Sequence, residues 1–187
     1  STFHRSAVDF HGDGRRDIWG SVPDALASSA NFLKNAGWTS GQPWGYEVRL
    51  PEPYNGPSGR RNRRPLAEWS RLGIRGADGA PLSGSGRAAL LLPAGAGGPA
   101  FIVFRNFDAI YAYNASESYA LAIAHLSDRL RGAGPFQAAW PTDDPGLSRA
   151  ERRELQELLI KQGHDIGVRD GRLAAIASPL ILVLSAA

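Results

Sequence analysis

Residues 104 to 126, Phe-Arg-Asn-Phe-Asp-Ala-Ile-Tyr-Ala-Tyr-Asn-Ala-Ser-Glu-Ser-Tyr-Ala-Leu-Ala-Ile-Ala-His-Leu, constrain this chain more than any other stretch. From Ala100 to Tyr113 the residues are rich in β-branched and aromatic types, which predicts a buried strand. From Ser116 onward the apolar period lengthens. Tyr119, Ile123, Leu126 and Leu130 then fall on one face at helical spacing. Asn114, with Glu117 three residues later, reads as a capping box at the helix start. The expectation is a strand running straight into a helix, with Tyr113, Asn114 and Ser116 at the seam. Polar groups at such a turn can face a cleft. On spacing alone, Asn114 caps and the tyrosines pack.

The chain has 187 residues, enough for one domain with a sizeable core, or one domain and a small appendage. It contains no Cys, which excludes a disulfide framework, a thiolate metal site and a Cys nucleophile. It also contains no Met, so Ser1 is not a translation start, and the expectation is a processed form or a piece of something longer. A net charge of +3 points to no particular partner. The most apolar run, 178 to 187, is far too short to span a bilayer.

Residues 7 to 19 read Ala-Val-Asp-Phe-His-Gly-Asp-Gly-Arg-Arg-Asp-Ile-Trp. Numbered as an EF-hand loop from Asp9, His11 is position 3, Asp13 is 5, Gly14 is 6, Arg15 offers its carbonyl at 7, and Asp17 is 9. Position 12 is Gly20, so Asp24 would have to close the site. The first half is therefore EF-hand-like and the second half irregular. The competing reading is a Gly/Asp-rich turn, with Asp24 in a capping box with Ser21.

A helix is predicted from Ser21 to Gly37, with Val22, Leu26, Ala30 and Leu33 on its apolar face. Strands are predicted at Tyr46 to Leu50 and Ala88 to Leu92, with a short helix between Pro65 and Gly73. Arg60-Arg61-Asn62-Arg63-Arg64 reads as a solvated charge run or, less simply, as a contact for acidic glycan or peptide. Gly95 to Gly98 reads as a turn, because the Lys-Ser/Thr pair of a nucleotide loop is absent. No His spacing suits a metal, and His125 reads as structural. After a Pro/Gly linker, Ser148 and Glu151 form a capping box for a helix reaching Gly163.

Several of these stretches together resemble the family B lytic murein transglycosylases. Asn106-Phe107, then Tyr113-Asn114-x-Ser116-x-x-Tyr119-Ala120-x-Ala122-Ile123, resembles the end of that family's catalytic domain. The resemblance implies that Tyr113, Asn114, Ser116 and Tyr119 line a glycan cleft. Val8-Asp9-Phe10, Gly12-Asp13-Gly14 and Ile18-Trp19 resemble the family's calcium loop, and residues 25 to 38 resemble the helix after it. That implies one weakly held Ca²⁺ on Asp9, His11, Asp13, Arg15 and Asp24. Residues 147 to 171 resemble the opening of a peptidoglycan-binding module, with an altered continuation.

By this resemblance, the fold is α+β: a mainly helical, lysozyme-like portion of a catalytic domain with an EF-hand-like loop and a small β-rich insertion. The expected organisation is 1–131 for that portion with its insertion at 51–99, 132–146 for a linker, 147–176 for an incomplete binding module and 177–187 for an apolar tail. The family uses a Glu as acid and then base, and the sugar's own C6 hydroxyl attacks, leaving a 1,6-anhydromuramoyl end. The seven glutamates here do not match that position. In the family it stands on a helix well before the calcium loop, so it would precede Ser1. The expectation is part of an enzyme that cleaves the MurNAc-GlcNAc β-1,4 bond, with no catalytic residue in this chain. The alternative is a non-catalytic, calcium-stabilised fragment that binds glycan. Peptidoglycan strands are the implied partner, without nucleic acid, and the bacterial periplasm or cell envelope is the implied location. Soluble and membrane-anchored forms both fit.

Overall fold

The computed structural model describes residues 2–141 and 147–163. The chain divides into two compact units, Ser1–Pro141 and Thr142–Ala187.

The first unit begins with a short helix α1 (Thr2–Ser6), then the Asp/Gly loop, then α2 (Val22–Asn35). Ser21 is the N-cap of α2, and its side chain accepts from the Asp24 N–H. Pro23 stands in the first turn, where its missing N–H costs nothing. β1 (Gly45–Arg49) follows, then β2 (Arg63–Pro65), α3 (Leu66–Arg71), β3 (Arg75–Gly76), β4 (Arg87–Leu91) and β5 (Ala100–Val103). Two helices close the unit, α4 (Arg105–Asn114) and α5 (Glu117–Leu130).

The five strands form one antiparallel sheet in the order β2-β4-β5-β1-β3. β4 and β5 are buried on both faces, which explains their unbroken apolar runs. Alternate side chains feed two cores. Ala89, Leu91, Phe101 and Val103 pack with Phe107 and Ile110 of α4 and with Ala120, Leu121 and Ala124 of α5. Ala88, Leu90, Ala100 and Ile102 pack on the opposite face with Leu66, Trp69, Ile74 and Leu82. Trp69 has no exposed surface, and its indole N–H donates to the Ala88 carbonyl at 2.9 Å. Gly45 permits β1 to lie against β5, because a Cβ there would stand 2.3 Å from the Ile102 carbonyl oxygen. The β-rich insertion therefore shares its sheet with β1 and β5, which flank it.

Four expectations are corrected here. The strand that begins at Ala100 ends at Val103, and residues 105–114 are helical. Phe107, Ile110 and Tyr111 supply an apolar face at helical spacing, which the aromatic and β-branched composition masked. The seam is consequently helix to helix. Its N-cap is Ser116, whose side chain accepts from the Tyr119 N–H at 3.2 Å, while Asn114 is the last residue of α4. The face of Ile123, Leu126 and Leu130 is the exposed side of α5, and Ala120, Leu121 and Ala124 form the buried one. Likewise Val22 and Leu26 of α2 are exposed.

The second unit contains α6 (Arg149–Lys161), opened by the expected capping box of Ser148 and Glu151. The remainder of the binding-module reading, from 164 on, lies outside the described residues, as does the apolar tail. Among the described residues, no helix is long and apolar enough to cross a membrane.

Candidate functional site

A cavity of about 500 Å³ opens between α2, the loop before β1, α4 and α5. Phe32 and Leu33 of α2, Trp38, Trp44, Ile110 and Tyr113 of α4, and Tyr119 and Ile123 of α5 form its apolar wall. Gln42, Ser127, Asp128 and Arg131 add polar groups to its rim. Tyr113 and Tyr119 stack with their centroids 6.1 Å apart and 17° between planes. The edge of one ring of the Phe32–Tyr113 pair meets the face of the other at 5.6 Å. Tyr113 stays 65% exposed, so much of its ring is free for another molecule. An aromatic face beside hydroxyl, amide and carboxylate groups suits a sugar ring, which has an apolar face and polar edges.

The loop over 39–44 is fixed from below by Asn106, which is fully buried. Its side-chain oxygen accepts from the Thr39 N–H at 2.8 Å, and its nitrogen donates to the carbonyls of Thr39 at 2.9 Å and Gln42 at 2.7 Å. Trp44 then donates its indole N–H to Asp128 of α5 at 2.6 Å. The four predicted glycan residues have separate fates. Tyr113 and Tyr119 meet in the cavity wall, Ser116 caps α5, and Asn114 is exposed beside the cavity without lining it.

The arginine run is not a solvated loop. Arg60 donates to Asp108 Oδ1 at 2.9 Å and lies with its guanidinium carbon 3.7 Å from the Tyr111 ring centroid. Arg63 donates to Asp108 Oδ2 at 2.6 Å and to the Phe104 carbonyl at 3.2 Å. Arg64 pairs with Glu68 one turn into α3, and only Arg61 of the four is exposed. Sequence spacing could not show this, because Asp108 lies more than forty residues away from these arginines.

In the Asp/Gly loop, Asp9 accepts from the N–H groups of Gly12, Asp13 and Gly14. Asp13 accepts from Arg15, and Asp17 accepts from Trp19 and Gly20. Asp24 is buried, and its two oxygens accept from Phe10 at 3.0 Å and Asp17 at 2.9 Å. These bonds, led by the one from Phe10, hold its carboxyl below the usual carboxylate range. His11 Nδ1 stands 3.8 Å from Asp24 Oδ1. The donors suit a hard cation in kind, with three carboxylates and the Arg15 carbonyl. Their placement does not: among the described residues, no three His or carboxylate groups are gathered as a metal would require.

None of the described glutamates is placed as an acid in the cavity. Glu47 accepts from the N–H groups of Gln137 and Ala138. Glu68 pairs with Arg64, Glu117 faces Arg60 at 3.6 Å, and Glu151 is held in the capping box.

Residues 1–128 match the family described as the transglycosylase SLT domain. The chain is 32% identical over 127 residues to membrane-bound lytic murein transglycosylase B of Escherichia coli, which covers 67% of this chain and 34% of that protein. Among solved structures, SltB3 of Pseudomonas aeruginosa in complex with NAG-anhNAM-pentapeptide is 51% identical with a TM-score of 0.83, covering 92% of this chain and 47% of the other. Slt35 of E. coli in complex with bulgecin A is 30% identical with a TM-score of 0.59, covering 70% and 40%. The same enzyme in complex with calcium gives 30% and 0.58, covering 70% and 41%. The chain thus spans less than half the length of each of these relatives. Its helices, curled antiparallel sheet and aligned residues agree across these comparisons, and the chain belongs to the transglycosylase SLT-domain family, among the family B lytic murein transglycosylases.

Proposed function

We propose that this chain forms one wall of the glycan cleft of a peptidoglycan lytic transglycosylase, with the Tyr113–Tyr119 pair as a sugar-stacking subsite. The observation that carries this reading is the stacked pair at the mouth of an apolar cavity with a polar rim. SltB3, which matches 92% of this chain, was solved with peptidoglycan fragments bound. The reaction we assign to the whole enzyme is cleavage of the MurNAc-GlcNAc β-1,4 bond with formation of a 1,6-anhydromuramoyl end. It needs a carboxylic acid held protonated at the scissile oxygen. We assign that acid, as the family resemblance implies, to a part of the fold outside these residues, and the absence of any described glutamate from the cavity lining supports this reading. Alone, the chain binds glycan without cutting it. We assign the chain to the bacterial periplasm or cell envelope, a reading supported by the murein named for its E. coli relative.

The test is direct. Murein incubated with this chain should release no anhydro-muropeptides, while NAG-anhNAM-pentapeptide should bind, and Tyr113→Ala with Tyr119→Ala should abolish most of that binding. Release of anhydro products by this chain alone would mean that one of its own carboxylates is the acid.

We further propose that the Asp/Gly loop takes one Ca²⁺ through Asp9, Asp13, Asp24 and the Arg15 carbonyl, after its carboxylates turn away from the N–H groups they now accept from. The calcium complex of Slt35 supports this reading. That rearrangement, with His11 and Gly20 at two ligand positions, makes binding weak. Melting curves in millimolar-range calcium should lie above those in chelator by mass action. Coincident curves, unchanged by Asp13→Ala, would leave the loop as a hydrogen-bonded turn.

A further inference from the structure

Arg60 stands in the connection between β1 and β2, and its side chain is only 15% exposed. Three groups from two helices hold it. Nη1 donates to Asp108 Oδ1 at 2.9 Å, the guanidinium lies over the Tyr111 ring at 3.7 Å, and the buried Nε, which makes no hydrogen bond, faces the Glu117 carboxylate as an ion pair with Oε1 at 3.6 Å. Asp108 and Tyr111 belong to α4, and Glu117 is the first residue of α5. A single cation therefore bridges the turn between the two helices that carry the tyrosine pair. The second oxygen of Asp108 takes Arg63, which also donates to the carbonyls of Val103 and Phe104 at the start of α4. Arg63 fixes the beginning of α4, and Arg60 reaches across its end.

The bridged turn is strained. Ala115 sits at φ 49° and ψ 33°, a left-handed conformation that costs a residue with a Cβ free energy. Such a residue persists where its surroundings over-determine it. The Ala115 N–H donates to Tyr111 at 2.7 Å and Ser116 caps α5, but both bonds are local. Core packing of Phe107 and Ile110 on Ala120, Leu121 and Ala124 holds the two helices together from within, and neither local bond ties the turn from outside. Arg60 does so, because its planar fork can hydrogen-bond a carboxylate while it stacks on an aromatic ring. A lysine ammonium is a point charge and cannot hold both directions.

We infer that Arg60 is a positioning residue: by tying Asp108 and Tyr111 to Glu117, it sets the angle at which Tyr113 and Tyr119 present their rings to the cavity. Its consequence for glycan rests on the reading of that pair as a sugar subsite, while the clamp itself does not. The rival role is a staple that merely holds the β1–β2 connection to the body. The two differ in a measurable way. A staple, when cut, lowers the melting temperature and leaves the seam alone. A clamp, when cut at its exposed end on Glu117, loosens the seam with little change in melting, because a pair with a carboxylate 44% exposed contributes little to stability.

The experiment uses the whole chain and five proteins: the unchanged chain, Arg60→Gln, Arg60→Lys, Glu117→Gln and the double variant of Arg60→Gln with Glu117→Gln. Amide hydrogen exchange is read at residues 113–119 and in β4 and β5, together with the dissociation constant for NAG-anhNAM-pentapeptide. Arg60→Gln should speed exchange at the seam by about tenfold and weaken binding by roughly three- to tenfold, with the strands unchanged. Glu117→Gln should move both in the same direction by less. The double variant should be no worse than Arg60→Gln, since both changes break one bridge. Arg60→Lys should restore melting more fully than binding. Unchanged seam exchange in Glu117→Gln and Arg60→Gln, with only a lower melting temperature, overturns the clamp. Should Arg60→Gln fail to fold, Glu117→Gln alone decides by the same criterion. If the unchanged chain binds no fragment while seam exchange responds as stated, the glycan reading fails and the clamp stands.

Discussion

Asn106 shows how one buried amide holds a wall of the cavity. Its three hydrogen bonds fix the 39–42 loop, which leads to Trp44 and through it to Asp128. Asn106→Asp keeps the shape, replaces two donated bonds with repulsion between a carboxylate and two carbonyls, and buries a charge. A loss of roughly 3 kcal/mol or more is expected in urea unfolding, and loss of near-ultraviolet signal from Trp38 and Trp44 should accompany it. At the seam, the corrected cap changes which residue matters for folding. Ser116→Ala should cost about 1 kcal/mol, while Asn114→Ala, at an exposed helix end, should stay within a few tenths. The reverse order in thermal melts would restore Asn114 as the cap. The sequence carried both residues in plain view. What it lacked was the left-handed backbone of Ala115, which ends α4 at Asn114 and leaves Ser116 to cap α5 from Glu117.

Among the elements, the legible ones have their signal inside themselves. The Ser21 cap and the helix to Asn35, the short helix after Pro65, and the Ser148–Glu151 box all needed only neighbours within one turn. β1 and β4 were legible from short alternating or apolar runs. The α4 segment failed because an aromatic, β-branched window of that length fits a buried strand or a buried helix equally, and packing on Phe101 and Val103 selects the helix. The arginine pairs failed for a related reason, since their partner is distant in the chain. The capping box of α6 makes a prediction of its own. The Ser148 hydroxyl and then the Ser148 N–H hold the Glu151 carboxyl below its usual value of 4.5. A depressed carboxyl contributes helix stability that is whole above its ordinary pKa and is lost as the pH falls through the lower folded value. Carbon-detected titration should place Glu151 below 4.5, and Ser148→Ala should bring it back up toward that value. A Glu151 midpoint that is not lowered, and that Ser148→Ala does not move, would mean that the box does not form in solution.

At the scale of the whole first unit, two apolar helix faces stay open to solvent. Val22 and Leu26 lie one turn apart on α2, at 70% and 67% exposed. Ile123, Leu126 and Leu130 lie along α5, at 39%, 53% and 81%. The cavity lies between these two helices. Both faces are the ones that helical periodicity marks as interior. Stable soluble monomers rarely leave such apolar area open unless something covers it. This chain spans less than half the length of these relatives, which leaves further chain in them to cover such faces. We therefore expect the isolated chain to bind a hydrophobic dye and to self-associate. Leu26→Lys with Leu130→Glu should suppress both, and should leave the melting temperature within about two degrees, because neither side chain belongs to a core. In the whole enzyme the same pair of changes should instead destabilise, by roughly 2 kcal/mol or more, since two buried apolar contacts would be replaced by charges. Equal tolerance in the two settings would show that these faces stay open in the enzyme, and that the cavity needs no further wall.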